Sequence, residues 1–115
     1  MAKHQNDVED VAAVAAALGE PKRLLALGML ASGELCLCDL TEGLELSAST
    51  VSTHMAVLKR AGLVESRKDG RWAHFRLAAD GASPLVGSAL AWTLEHLPKS
   101  AKKKPVCSSR KDCCP

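Results

Sequence analysis

Residues 63–77 change the period of the chain, and that change limits the folds open to it more than any other feature. Ala73, Phe75 and Leu77 alternate with Trp72, His74 and Arg76, the period of two that marks a half-buried ribbon. Segments 63–68 and 71–77 read as two strands, with Asp69 and Gly70 as a two-residue turn that matches strand twist. Arg67, Lys68 and Arg71 cluster at the tip of this hairpin.

Everything around the hairpin has helical period. Val8, Val11, Ala15 and Leu18 recur at helix spacing until Gly19 ends the run. Pro21 suits the first position of a second helix, along which Leu24, Leu27 and Ala31 continue until Ser32 and Gly33 stop it. A short third helix fits residues 38–44. Ser47 caps a fourth, with Ala48, Val51, Met55 and Leu58 as its buried stripe and Gly62 past its end. Ser83 and Pro84 open a last helix, which carries Val86, Ala89, Leu90, Thr93, Leu94 and Leu97 on one side and stops before Pro98. Helix, helix, short helix, helix and basic-tipped hairpin is the order of a winged helix-turn-helix, mainly α with a two-stranded β-wing.

At 115 residues the chain has material for one core. Residues 1–98 are expected to form a DNA-binding and dimerisation domain, and residues 99–115 a basic, cysteine-containing flexible tail. The last helix is strongly apolar for a terminal one. With the Ala/Val stripe of the first helix, it predicts a homodimer interface.

The net charge of +2 conceals an asymmetry. Residues 1–46 carry three basic and eight acidic side chains, residues 47–76 six basic and two acidic. A positive block between acidic helices suits a local polyanion footprint, with double-stranded DNA as the partner. On the fourth helix Ser49, Ser52, Thr53, Ala56 and Arg60 share the polar face. Small hydroxyl side chains let a helix start approach a major groove, and Arg60 suits a phosphate. The candidate DNA contacts are Ser47, Ser49, Thr50, Ser52, Thr53, His54, Lys59, Arg60, Arg67, Lys68 and Arg71. An apolar run of membrane-spanning length is missing and the N-terminus is polar, so a cytoplasmic protein without a membrane partner is expected. There the odd number of cysteines, five, favours ligands or redox groups over structural bridges.

Glu34-Leu35-Cys36-Leu37-Cys38-Asp39-Leu40, Ser52-Thr53-His54-Met55, Ala61-Gly62-Leu63-Val64 and Asp69-Gly70 resemble the ArsR/SmtB family of metal-responsive repressors over residues 8–97. The first segment is most similar to arsenic-responsive members, which carry two cysteines one residue apart at the start of the third helix. The resemblance implies a dimeric repressor, not an enzyme, that leaves its operator when As(III) or Sb(III) binds Cys36 and Cys38. It also leaves Cd(II) or Pb(II) as alternative inducers. Thr41 stands where arsenic repressors have a third cysteine, and this N-terminus lacks the cysteines of cadmium and lead members. Thr53 replaces a commonly basic residue and Met55 the usual Leu, so the operator sequence is not implied.

Thiolate selects soft ions, and a helix N-terminus favours the ionised thiol. Residues two apart do not share a face of a regular helix, so one ion held by Cys36 and Cys38 is expected to require distortion of the third helix's first turn. Such distortion would tilt the recognition helix that follows. Cys107, Cys113 and Cys114 complete the candidate metal ligands. Cys107 lies ten positions beyond Leu97, a reach of roughly 33–36 Å, so the tail can supply a third thiolate, form a separate site, or play no essential part.

The resemblance also disfavours zinc, because zinc-responsive members place paired carboxylate and histidine ligands on the last helix, which here offers only the adjacent Glu95 and His96. His74 reads as an exposed strand position. A redox-responsive repressor is the alternative on the same fold, since Cys36 and Cys38 can form a strained disulfide. An arsenate-reductase-like thiol enzyme is further away: no cysteine is followed by Arg at a six-residue offset.

Overall fold

A computed structural model of the chain describes residues 7–79 and 83–102. The order is α1 (Val8–Leu18), α2 (Pro21–Leu30), β1 (Leu35–Cys36), α3 (Leu37–Leu44), α4 (Ala48–Arg60), β2 (Val64–Asp69), β3 (Trp72–Leu77) and α5 (Pro84–His96), followed by a 3-10 turn, Lys99–Lys102. This is a winged helix-turn-helix, mostly helical with one small sheet.

Each helix starts where a side chain satisfies its free N–H groups. Asp7 and Asp10 form a reciprocal capping box on α1, with N···O distances of 2.9 and 3.3 Å. Glu20 accepts from the Lys22 and Arg23 N–H groups ahead of α2, whose first residue is Pro21. Ser47 and Ser83 cap α4 and α5 through the Thr50 and Val86 N–H groups. Between α3 and α4, Glu45 takes the left-handed conformation at φ 59°, and Lys22 Nζ donates to the Leu44 carbonyl at 2.8 Å. A cation at a helix C-terminus offsets the dipole there.

The core gathers Leu27 of α2, Leu40 and Leu44 of α3, Val51, Met55 and Leu58 of α4, and Leu63 before the wing, all fully buried. Thus α3 and α4 meet through the expected stripe, but Ala48 is exposed rather than part of it. It precedes the first inward turn of the helix. Ala31 likewise lies exposed beyond the end of α2. On α1, Val14 and Ala17 make the contact with the core, while Val8 and Val11 remain 83% and 49% exposed.

Two features of the wing differ from the sequence reading. Asp69 pairs with Trp72, so the two turn residues are Gly70 and Arg71, one position later than expected. Gly70 has φ 65°, which suits glycine at the first central position of a tight hairpin turn. The sheet is also three-stranded and antiparallel in the order β1-β3-β2: Leu35 pairs with Phe75 and Cys36 with His74. Phe75 and Leu35 face the core, which leaves Cys36 and His74 together on the opposite face.

The chain stays packed beyond Pro98. Ala101, in the stretch expected to be a flexible tail, is buried against Gly28 of α2, where a Cβ would come within 2.5 Å of the Ala101 carbonyl oxygen.

Candidate metal centre and nucleic-acid interface

Cys36 is both the end of β1 and the N-cap of α3, with extended backbone at φ −87° and ψ 166°. Cys38 lies in the first turn of the helix. Because the two residues straddle the strand–helix junction, their sulfurs converge, with the Sγ atoms 2.8 Å apart. This corrects the expectation of a distorted helix. The spacing argument held for two residues inside one helix, and Cys36 is outside it.

Asp39 is the donor that the sequence reading missed. Its Oδ2 accepts from the Cys36 N–H at 3.2 Å and lies 3.4 Å from Cys36 Sγ. The Cys36 and Cys38 sulfurs and an Asp39 oxygen all lie within 4.8 Å of one another. Cys36 is buried, while Cys38 and Asp39 are half-buried, so the cluster is enclosed on one side and reachable from the other. The signal was present in the sequence: Cys36-x-x-Asp39 has capping-box spacing. Thr41 takes no part, because its hydroxyl donates to the Cys38 carbonyl at 2.8 Å. Cys107, Cys113 and Cys114 lie outside the described residues. Glu95 and His96 are exposed on α5, and His96 Nδ1 is 2.8 Å from the Trp92 carbonyl oxygen.

Two soft sulfurs and one hard oxygen fit a thiophilic ion in which sulfur dominates the binding. The group suits neither Mg(II) nor Ca(II), which take oxygen ligands.

The candidate DNA contacts divide into five sets. Ser49, Ser52, Thr53, Lys59 and Arg60 are exposed on one side of α4. Ser47 and Thr50, also exposed, are joined in the cap of that helix, where Ser47 Oγ is 3.0 Å from Thr50 Oγ1. Lys68 and Arg71 are exposed at the wing, Arg71 lying 5.3 Å over the Trp72 ring. His54 stands apart: its Nδ1 is 3.1 Å from Arg23 and its Nε2 4.0 Å from Glu20, on the side of α4 that faces α2.

Arg67 is engaged with Glu34, a residue not singled out from the sequence. The hydrogen bond from Arg67 holds the Glu34 carboxyl below the usual carboxylate range, and Glu34 in turn raises Arg67. Glu65 is lowered too, first by the Ala79 N–H and then by Arg76, whose guanidinium lies 2.9 Å away. Glu34, Glu65, Ser66, Arg67 and Arg76 line a shallow depression of about 100 Å³ beside β1. His74 is also less exposed than expected, and its Nε2 is buried without a hydrogen-bond partner among the described residues.

Residues 20–66 match the bacterial regulatory protein, arsR family. The chain is 34% identical over 79 residues to an HTH-type transcriptional regulator of Methanocaldococcus jannaschii, covering 68% of this chain and 89% of the relative. It is 36% identical over 81 residues to a cadmium resistance transcriptional regulatory protein, a CadC homolog of Staphylococcus aureus, covering 70% and 67%. Over 46 residues it is 48% identical to the arsenical resistance operon repressor of Escherichia coli, covering 40% of this chain and 39% of that protein. The homodimeric winged helix-turn-helix domain from Mycobacterium bovis superposes with a TM-score of 0.64 at 29% identity, covering 83% and 93%.

Proposed function

Because this chain belongs to the ArsR family of DNA-binding transcriptional regulators, we propose that it is a homodimeric repressor induced by trivalent arsenic or antimony at Cys36 and Cys38. The observation that carries this reading is the convergence of both sulfurs at the β1–α3 junction. The match to the arsR family spans residues 20–66, the stretch that contains them.

The junction is well placed to act at a distance. Cys36 is hydrogen-bonded into the wing through β1, and α3 packs on α4, which presents the candidate DNA-reading residues. Bound ion would be held by the two thiolates, with Asp39 beside them. Its contribution is strong, selective sulfur ligation. Occupying the thiols competes with the Asp39 contacts that now cap α3, so the junction between wing and helix-turn-helix bears the change directly. Release then requires that the ion favour the DNA-free form, by about 1–3 kcal/mol for an ordinary allosteric coupling.

The dimer reading is supported by the exposed Val8 and Val11 of α1 and Trp92 of α5, and by the homodimeric Mycobacterium bovis domain. No described helix is long and apolar enough to cross a membrane, and we place the protein in the cytoplasm.

Cadmium or lead is the second reading, favoured by the Asp39 oxygen and by the Staphylococcus aureus relative. The test is arsenite binding by equilibrium dialysis, paired with DNA retention, for the full chain and for Cys36→Ser and Cys38→Ser. Each substitution should abolish the effect of arsenite on DNA while leaving DNA affinity intact. If both variants respond to arsenite as the parent does, the site is wrongly placed. The triple variant Cys107→Ser, Cys113→Ser, Cys114→Ser shows whether the tail supplies the third thiolate: unchanged arsenite affinity removes that role.

A further inference from the structure

His74 sits directly across β1 and β3 from Cys36, and the two side chains emerge on the same face of the sheet. Directly opposed residues in antiparallel strands place their Cβ atoms about 4.5–5.5 Å apart. The Nε2 atom of His74 is buried and has no hydrogen-bond partner among the described residues. A buried ring nitrogen left in this state costs free energy, and native structures seldom retain one without a use. Its neighbour across the strand is one of two sulfurs in the cluster of Cys36, Cys38 and Asp39.

We infer that His74 is a further ligand of this site, supplying an imidazole nitrogen to a divalent ion that accepts nitrogen beside sulfur, such as Zn(II), Co(II) or the softer Cd(II). The inference rests on the thiol pair proposed above and extends it. His74 is not among the three donors already within 4.8 Å of one another. It lies on the neighbouring strand, paired with Cys36. Arsenite needs only sulfur, whereas borderline divalent ions accept mixed sulfur, nitrogen and oxygen sets. Two thiolates, one imidazole and the Asp39 carboxylate supply four donors of the types zinc-like ions take in tetrahedral sites. On binding, the two thiols each lose a proton to solvent and a His74 ring nitrogen donates a lone pair, with no change in oxidation state. The site would thus answer to two classes of ion, one through sulfur alone and one through His74 as well.

The surroundings fit a ligand better than a surface ion-pair partner. Arg67 lies opposite His74 on the other side, but its guanidinium is occupied by Glu34. Glu34 feels the charge of His74, but its oxygens are taken by Arg67, and among the described residues none hydrogen-bonds His74 Nε2.

The experiment is a Co(II) titration of the full chain under anaerobic, reducing conditions, read by its visible ligand-field bands. It is repeated for His74→Gln, for Cys36→Ser, and with the three tail cysteines changed to serine. His74→Gln should weaken Co(II) by roughly tenfold or more and alter the ligand-field bands, while arsenite affinity stays within twofold. In parallel, the unsubstituted chain loaded with ¹¹³Cd should show scalar coupling between the metal and the His74 ring nitrogen. Unchanged Co(II) affinity and spectrum in His74→Gln, or no coupling in the ¹¹³Cd-loaded chain, overturns the inference and leaves the thiol site standing. Loss of Co(II) binding in His74→Gln together with an unaffected Cys36→Ser variant would instead reject the thiol pair itself. Failure of the unsubstituted chain to bind either divalent ion also rejects His74 as a ligand.

Discussion

Arg67 grips both carboxylate oxygens of Glu34, at 2.8 and 3.0 Å, and so ties the wing to the residue two positions before Cys36. The pairing neutralises a wing cation that would otherwise be free for a phosphate. Glu34→Gln should release it: DNA affinity rises a few-fold at low salt, and the slope of log K against log[salt] steepens by about 0.9. Anisotropy titrations at several salt concentrations read both quantities. An unchanged slope would place Arg67 away from the DNA. Because Arg67 depresses the Glu34 pKa, the pair's contribution to stability is complete above the ordinary carboxylate pKa and fades as pH falls through the lowered value.

Arg23 joins three elements. Its guanidinium donates to the Ala17 and Ala16 carbonyls at the end of α1, at 2.9 and 3.1 Å, and meets His54 of α4 at 3.1 Å. Hydrogen bonds from a charged donor contribute about 1.5–3 kcal/mol, so Arg23→Met should lower stability by about 2 kcal/mol in urea denaturation. Arg23→Lys should recover little, because an ammonium lacks the planar fork that reaches two carbonyls. Full recovery by lysine would mean that charge alone matters here.

Ser47 and Ser52 are both exposed hydroxyls with different duties. Ser47 caps α4, and Ser47→Ala should cost about 1 kcal/mol of stability. Ser52→Ala should leave stability within about 0.5 kcal/mol and instead change sequence preference, by about 1–3 kcal/mol at a base that Ser52 contacts well. Denaturation curves and binding to a panel of single-base operator variants separate the two roles.

Gly28 and Gly87 make a second contrast. A Cβ on Gly28 meets the Ala101 backbone at 2.5 Å and Leu97 Cδ1 at 3.2 Å, whereas one on Gly87 meets nothing within 4 Å. Gly28→Ala should therefore destabilise by about 1–3 kcal/mol through overpacking. Gly87→Ala, in a helix interior, should stabilise by up to about 1 kcal/mol. Equal melting temperatures for the two variants would show that the Lys99–Lys102 turn does not press on α2.

Features carried by several residues in register were legible from the sequence. The stripe of Val51, Met55 and Leu58 placed α4, and Ser83-Pro84 placed the start of α5. Alternation through Phe75 identified the wing strands. Features resting on one or two residues were not. Two-residue β1 has no period to detect, and without it neither the strand–helix junction at Cys36 nor the partial burial of His74 is legible. The hairpin turn slipped by one because Asp-Gly and Gly-Arg both offer glycine near the centre, and only the cross-strand pairing of Asp69 with Trp72 decides. Glu34 and Arg67, 33 residues apart, needed the folded sheet to bring them together.

The most direct measurement is fluorescence anisotropy of the reduced full chain on DNA from upstream of its own gene, titrated with arsenite, antimonite, cadmium and zinc. Arsenite or antimonite should dissociate the complex at the lowest concentration. By linkage, DNA should weaken binding of that ion by the same factor, roughly 5–150-fold. A complex that persists through saturating arsenite and antimonite, or a chain that binds no such DNA, would contradict the assignment.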